Sequence, residues 1–396
     1  MRFDFETQVD RKDIGNLKQD ITDPKLLEAG VPSMNAAEMD FKTAPSMIRS
    51  VKEMADRGIF GFTLKDEAYS DAVCWWMKEA RGWQIDPEWI TPTMGTIFSV
   101  ATAVRMAARE GEGVIVQTPV YYRYEQAAAR LGRRTVHNEL KIVNGRYEMD
   151  FDDLEDKMRD PSNKLLVLCN PHNPIGCVWS RADLEHVAEL SAKYQVVVLS
   201  DEIFAELVYD GHAATPYVSI PAGRKYAITI TSMGKAFNCT GVNHANAIIP
   251  DEEMCERFTT QRNRDHYGSL GPFEHAALMG AYSSEGLEWL KAQRAYLEES
   301  AHLIREHFTR DMPQVKLFPI EGTSVCWSDW SCTGLEGEAL ERWLVDEALV
   351  QLEGGGVYSD RCKSMVRMTF GCSHEVLEAA LERMAQALKR KLEEKK

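Results

Sequence analysis

The stretch ITITSMGKAF spans residues 228–237, a β-branched run that ends abruptly in Ser232, Met233, Gly234 and Lys235. A β-branched run of this kind reads as a strand, with polar residues delivered to its rim. Lys235 then has three readings: an ordinary surface lysine, the partner of a serine nucleophile, or the anchor of an aldehyde cofactor. A serine nucleophile in the Ser-x-x-Lys arrangement works with Ser-Asp-Asn and Lys-Thr-Gly companions. Neither occurs here; the nearest match is Ser200-Asp201-Glu202, and Ser232 is predicted to end a strand instead of opening a helix. A lysine beside a neutral hydroxyl, with an aspartate one strand away, suits a Schiff base better.

Comparable runs lie on either side. GVIVQTP (113–119), RTVHNEL (134–140), KLLVLCN (164–170), QVVVLSDE (195–202), YAITITS (226–232) and ANAIIP (245–250) read as strands. Helical spacing fills the gaps at 95–110 and 180–194, the latter opening with Ser180 and Asp183 close to a capping box. This alternation implies an α/β domain with a mostly parallel central sheet flanked by helices. A helical stretch from Glu274 to Asp311, broken near SSEG, leads into a smaller α+β part. That part holds strands in VKLFPI, SVCWSDW and SMVRMTF and helices at 336–349 and 374–392. The expected organisation is a large domain over 46–285 and a small C-terminal domain over 286–396. Residues 1–45 lack strong periodicity and are expected to pack with the small domain or across a partner subunit.

The chain has 396 residues, 44% hydrophobic and 27% charged, with a net charge of −15. That balance argues against nucleic acid and anionic membranes as partners, because both call for a basic face. No apolar run reaches the roughly 20 residues of a membrane span. The acidic, polar N-terminus lacks a secretory pattern, so a cytoplasmic protein is expected. The nine cysteines include no C-x-x-C pair. Structural zinc is therefore not expected, and the cysteines read as buried thiols with one accidental surface thiol allowed for.

In such a sheet, ligands sit outside the carboxyl ends of the strands. Polar and aromatic residues accumulate there. Gly95-Thr96 opens a helix and is either an anion site or an ordinary start. The stretch from Asn170 to Pro174 is either a turn or part of a site. Asp201 is either a cap or a buried charge that needs a cation, such as a protonated ring nitrogen. Tyr121 and Tyr122 are core aromatics or stacking platforms. Arg367, amid apolar residues, wants a carboxylate from an internal salt bridge or from a substrate.

Taken together, AAEMDF (36–41), IFGFT, PVYYRYE, CNPHNPIGCVWS, SDEIFAELVYDG, GKAFNCTG and VRMTFGCSHEVLEAAL resemble the fold-type I pyridoxal-phosphate enzymes, the aminotransferase class I/II superfamily. Within them the chain is most similar to the cystathionine β-lyase-like, or C–S lyase, branch. The resemblance covers nearly the whole chain. It implies pyridoxal 5'-phosphate joined to Lys235, Asp201 on the pyridine N–H, and Asn173 on the ring's 3-oxygen. It further implies Tyr121 stacked on the ring, Gly95, Thr96 and Ser232 on the phosphate, and Arg367 on the substrate α-carboxylate. A homodimer and a small amino-acid substrate are expected on the same grounds.

Several positions depart from the family pattern. Phe62 stands where a tyrosine reaches a neighbouring subunit's phosphate, and Phe204 where a Tyr or His follows the aspartate. Gly234 replaces a serine, Asn243 an arginine, and Asn35 a tryptophan. The resemblance implies β-elimination from L-cystathionine or a related cysteine S-conjugate, giving thiol, pyruvate and ammonia. An aminotransferase is the alternative. A catalytically weakened binding or regulatory protein on the same fold is the second alternative.

Overall fold

The structure, a computed structural model, describes residues 3–11, 14–267 and 270–394. Strands β1 (Ile90–Thr93), β2 (Gly113–Thr118) and β3 (Arg134–Glu139) come first. A hairpin follows, β4 (Lys141–Val143) with β5 (Arg146–Glu148). Next come β6 (Asn163–Cys169), β7 (Val197–Asp201), β8 (Ala227–Thr231) and β9 (Ala245–Ile248). Seven of these form one sheet in the order β1-β9-β8-β7-β6-β2-β3. β2, β3, β6, β7 and β8 pair in parallel, while β9 runs against both of its neighbours.

The six expected strands are all present, with their ends shifted by one or two residues. β1 was not foreseen, because it is four residues long and contains Pro92. Proline is tolerated there because β1 is an edge strand. The unbroken apolar runs are explained by two separate layers. Val114, Val116, Leu165 and Val167 face one layer with Val100 and Phe258. Ile115, Leu166 and Leu168 face the other with Leu184 and Val187. Alternate residues point to opposite faces and both faces are dry, so the runs are mostly apolar, with buried polar residues such as Gln117, Ser200 and Thr229 interspersed.

The helix Arg181–Tyr194 carries the expected capping box. Ser180 Oγ accepts from Asp183 N at 3.1 Å, and Asp183 Oδ2 accepts from Ser180 N at 3.0 Å. The long helical stretch breaks into Pro272–Ala281 and Ser284–Asp311, with Ser283 Oγ capping the second through Gly286 N. Beyond it, β10 (Lys316–Leu317), β11 (Val325–Asp329), β12 (Glu353–Gly354) and β13 (Met365–Thr369) form an antiparallel sheet ordered β10-β11-β13-β12. The N-terminal segment lies along it: Met34 N donates to Gln351 O, Thr369 N to Met34 O, and Asp40 N to Gly371 O.

Six cysteines are buried, and Cys74, Cys255 and Cys332 are partly exposed, more than the single surface thiol expected. Among the described residues no helix is long and apolar enough to cross a membrane, and no cluster of metal-ligating side chains occurs.

The helix Pro272–Ala281 packs closely on the helix Pro45–Asp56. A Cβ at Gly280 would stand 2.6 Å from Met47 Cα and 2.7 Å from Ser46 O, both backbone atoms. Overpacking costs about 1–3 kcal/mol, against a helix-propensity gain of about 1 kcal/mol for removing a glycine. Gly280→Ala is expected to lower the thermal unfolding midpoint. A midpoint at or above the parent's would show that the two helices separate without strain.

Candidate active site

The strand order reverses between β2 and β6, the place where an open α/β sheet leaves a crevice at its carboxyl rim. A cavity of about 420 Å³ lies there, within the usual range for a ligand pocket. Gly95, Thr96, Tyr121, Asn173, Asp201, Ser232, Lys235 and Arg367 all line it. The structure thus gathers every expected site residue around one space, although they span 273 positions from 95 to 367 (counted inclusively).

Lys235 follows β8 on a four-residue helix, Met233–Ala236. Its Nζ donates to Ala37 O at 3.0 Å and lies 5.7 Å from the centre of the Phe204 ring. Burial disfavours the ammonium, and the nearby Arg367 charge disfavours it further. Together they bring the lysine down to about 8. Such an amine is partly unprotonated near neutral pH and is therefore nucleophilic.

Asp201 ends β7 and is only 2% exposed. Its Oδ2 accepts from Tyr124 OH at 2.5 Å, and its Oδ1 accepts from Ile203 N at 3.2 Å. Neither donor is a cation. Burial outweighs both hydrogen bonds and pushes the carboxyl up to about 6. Tyr124 was missed by the sequence reading, which weighed only Tyr121 and Tyr122. Its spacing of three from Tyr121, one helical turn on, was the available signal.

Gly95 begins the helix Thr96–Ala107 with φ +86°, a conformation that favours glycine, and no side chain caps this end. The first N–H groups of the helix thus point into the cavity region without a side-chain partner, which suits an anion. Ser232 follows β8 directly and opens the short helix: its Oγ accepts from Gly234 N at 3.1 Å. This corrects the expectation that it opens no helix. The same hydroxyl donates to His244 O at 2.7 Å. Its proton must leave that carbonyl before it can serve a phosphate. His244, also missed, is buried and held neutral, its value lowered by burial to about 3.

Arg367 is buried in β13. Nη1 donates to Asn173 Oδ1 at 3.2 Å and Nη2 to Asn35 O at 2.5 Å. It also has the internal salt-bridge partner that the sequence reading allowed for: Glu353 Oε2 stands 2.5 Å from Nη2. Tyr121 meets Tyr124 edge-on with ring centres 5.7 Å apart.

The departing positions are placed as follows. Phe62 is 99% exposed on the loop before the helix Glu67–Arg81. Phe204 is buried beside Lys235. At Gly234 a Cβ would meet Ser232 Oγ at 3.2 Å, a tight fit. Asn243 lines the cavity.

An amine whose ammonium form burial disfavours, a buried carboxylate without a cation and a buried guanidinium around one cavity mark an enzyme of amino-acid chemistry. The chain belongs to the aminotransferase class I and II family, whose profile matches residues 29–384. It is 34% identical over 385 residues to cystathionine beta-lyase PatB of Bacillus subtilis (strain 168), covering 97% of this chain and 99% of that protein. Protein MalY of Escherichia coli (strain K12) is 26% identical over 389 residues, 98% of this chain and 99% of its own. Cystalysin from Treponema denticola, whose crystal structure contains a pyridoxal 5'-phosphate cofactor, matches with a TM-score of 0.93 at 30% identity, covering 98% and 100% of the two chains. The donor set here fits that cofactor: an amine for the aldehyde, an unpaired buried carboxylate for a protonated ring nitrogen, and an uncapped helix start for a phosphate.

Without cofactor, the reaction of Lys235 with an amine reagent is expected to follow a pH midpoint near 8. Arg367→Gln removes a positive neighbour and is expected to move that midpoint upward. A parent midpoint near the ordinary lysine value of 10.5 would show that the amine is solvated.

Proposed function

We propose that the protein is a pyridoxal-phosphate-dependent C–S β-lyase. It acts on L-cystathionine or a related cysteine S-conjugate and releases thiol, pyruvate and ammonia. The convergence of Lys235, Asp201 and Arg367 on one cavity carries the reading. The near-full-length likeness to a protein named cystathionine beta-lyase supports the choice of reaction.

When bound, pyridoxal phosphate supplies an aldehyde for an amine and a protonated ring that takes up electrons from the substrate α-carbon. The protein does the rest. Lys235 holds the cofactor while the site is empty. Freed by an incoming amino acid, its amine would remove the α-proton, and burial favours the neutral form that this needs. Asp201 holds the proton on the ring nitrogen. That contact restores a charged partner to a carboxylate that burial otherwise pushes up to about 6. Arg367 fixes the α-carboxylate and Tyr121 covers the ring. Gly95, Thr96 and Ser232 take the phosphate, and Asn173 the 3-oxygen. A thiolate leaving from the β-carbon gives an enamine that hydrolyses to pyruvate and ammonia. An aminotransferase would use the same lysine, but it needs a keto acid to complete each cycle.

Pyruvate is expected from L-cystathionine with pyridoxal phosphate and no keto acid. Lys235→Ala should abolish it and leave no borohydride-reducible link between protein and cofactor. No pyruvate from protein that holds a reducible cofactor would move the assignment to transamination. A reducible link surviving in Lys235→Ala would displace Lys235.

A homodimer belongs to the same proposal. Ile59, Phe60, Phe62 and Leu64 project from one loop with 77%, 57%, 99% and 67% exposure. Phe273 meets Phe60 at 5.1 Å between ring centres, which extends the patch. Clustered exposure of this kind marks an interaction surface. Sedimentation at micromolar concentration is expected to give twice the chain mass of 44.8 kDa. A monomer would remove this part of the proposal.

A further inference from the structure

The guanidinium assigned to the substrate carboxylate already holds a carboxylate. Glu353 stands directly opposite Arg367 across β12 and β13, so the two side chains leave the same face of the sheet. Glu353 Oε2 lies 2.5 Å from Arg367 Nη2, and both residues line the cavity with Lys235. Tyr358 is buried. It donates its hydroxyl to the same Glu353 oxygen, and its ring centre lies 5.4 Å from the Arg367 guanidinium carbon.

A guanidinium grips a carboxylate through two parallel N–H groups. Either available fork, Nε with Nη2 or Nη1 with Nη2, includes Nη2. That nitrogen already meets the Asn35 carbonyl and Glu353, while Nε is buried without a partner. A substrate carboxylate therefore gains a two-point hold only when one occupant of Nη2 gives way. The Asn35 carbonyl is main chain. Glu353 is a side chain, 25% exposed, on a two-residue edge strand followed by Gly355 and Gly356. Glu353 is the group free to move.

We propose that Glu353 is a specificity-determining residue: it competes with the substrate α-carboxylate for Arg367 and selects against amino acids whose side chain is net anionic. The inference rests on the reading of Arg367 as the carboxylate clamp. Exchange of one carboxylate for another leaves Glu353 unpaired at the cavity wall. A side chain with its own negative charge would then place three carboxylates around one guanidinium, an arrangement that like-charge repulsion disfavours. Neutral or zwitterionic thiol substituents avoid this, and an ammonium on the thiol side would give the displaced Glu353 a partner.

Propionate and succinate test this by calorimetry on the cofactor-loaded protein. Neither carries an amine or a leaving group, so binding is read apart from turnover. The parent is expected to bind propionate weakly and succinate more weakly. Glu353→Gln removes the charge but keeps the shape and an acceptor for Tyr358. It is expected to bind propionate on the order of tenfold more tightly, with a larger gain for succinate. In turnover, the kcat/KM ratio of S-carboxymethyl-L-cysteine to S-methyl-L-cysteine should rise in the same variant. Glu353→Ala carries the same comparison if the glutamine variant fails to fold. Equal affinities in parent and variant, with binding still lost in Arg367→Ala, would overturn the role of Glu353 alone. Propionate binding that survives Arg367→Ala would overturn the clamp itself, and the competition with it.

Discussion

Two opposite charges held out of water at adjacent strand ends organise this molecule: Asp201 closing β7 and Lys235 just past β8. Both strands are packed on each face by apolar layers, so neither charge can turn back into the sheet. They can only face the cavity at the carboxyl rim. There each moves toward neutrality, the lysine down to about 8 and the aspartate up to about 6. Desolvation is the first cause in both cases. A site built this way is reactive because its groups are short of counter-charges, and a cofactor with a protonated nitrogen and an electrophilic carbon meets both deficits.

The buried guanidinium at the cavity comes from elsewhere in the chain. Arg367 lies on β13, within the second sheet, and the N-terminal segment stitches the two sides together. Ala37 O receives Lys235 and Asn35 O receives Arg367, two residues apart on one stretch of backbone. Arg11, Lys18, Glu38 and Asp40 form ion pairs around that stretch. Residues without helical or strand periodicity thus bridge Lys235 and Arg367. Their backbone carbonyls make these contacts, so side-chain patterning had nothing to report.

Much of the fold was legible because burial on both sheet faces favours runs of apolar and β-branched residues, and such runs end where the chain turns toward solvent or ligand. That logic located Asp201, Ser232 and Lys235 directly. It failed at β1, whose four residues and Pro92 fall below any pattern. It also failed at Tyr124, whose partner Asp201 lies 77 residues away. Glu353 carried no local signal at all: an acidic residue before glycines reads as a loop. It gains meaning only from its register opposite Arg367.

The sequence by itself determined six of the seven strands of the central sheet, the order in which their polar ends appear, and the residue types that reach the rim. Those follow from local rules of burial and periodicity. Tertiary structure decided which of those groups share a cavity, how far each departs from its ordinary charge state, and that Arg367 and Glu353 face each other. The physical reason is desolvation and pairing: both depend on what surrounds a side chain in space, and neighbours far apart along the chain leave no mark in the spacing of residues.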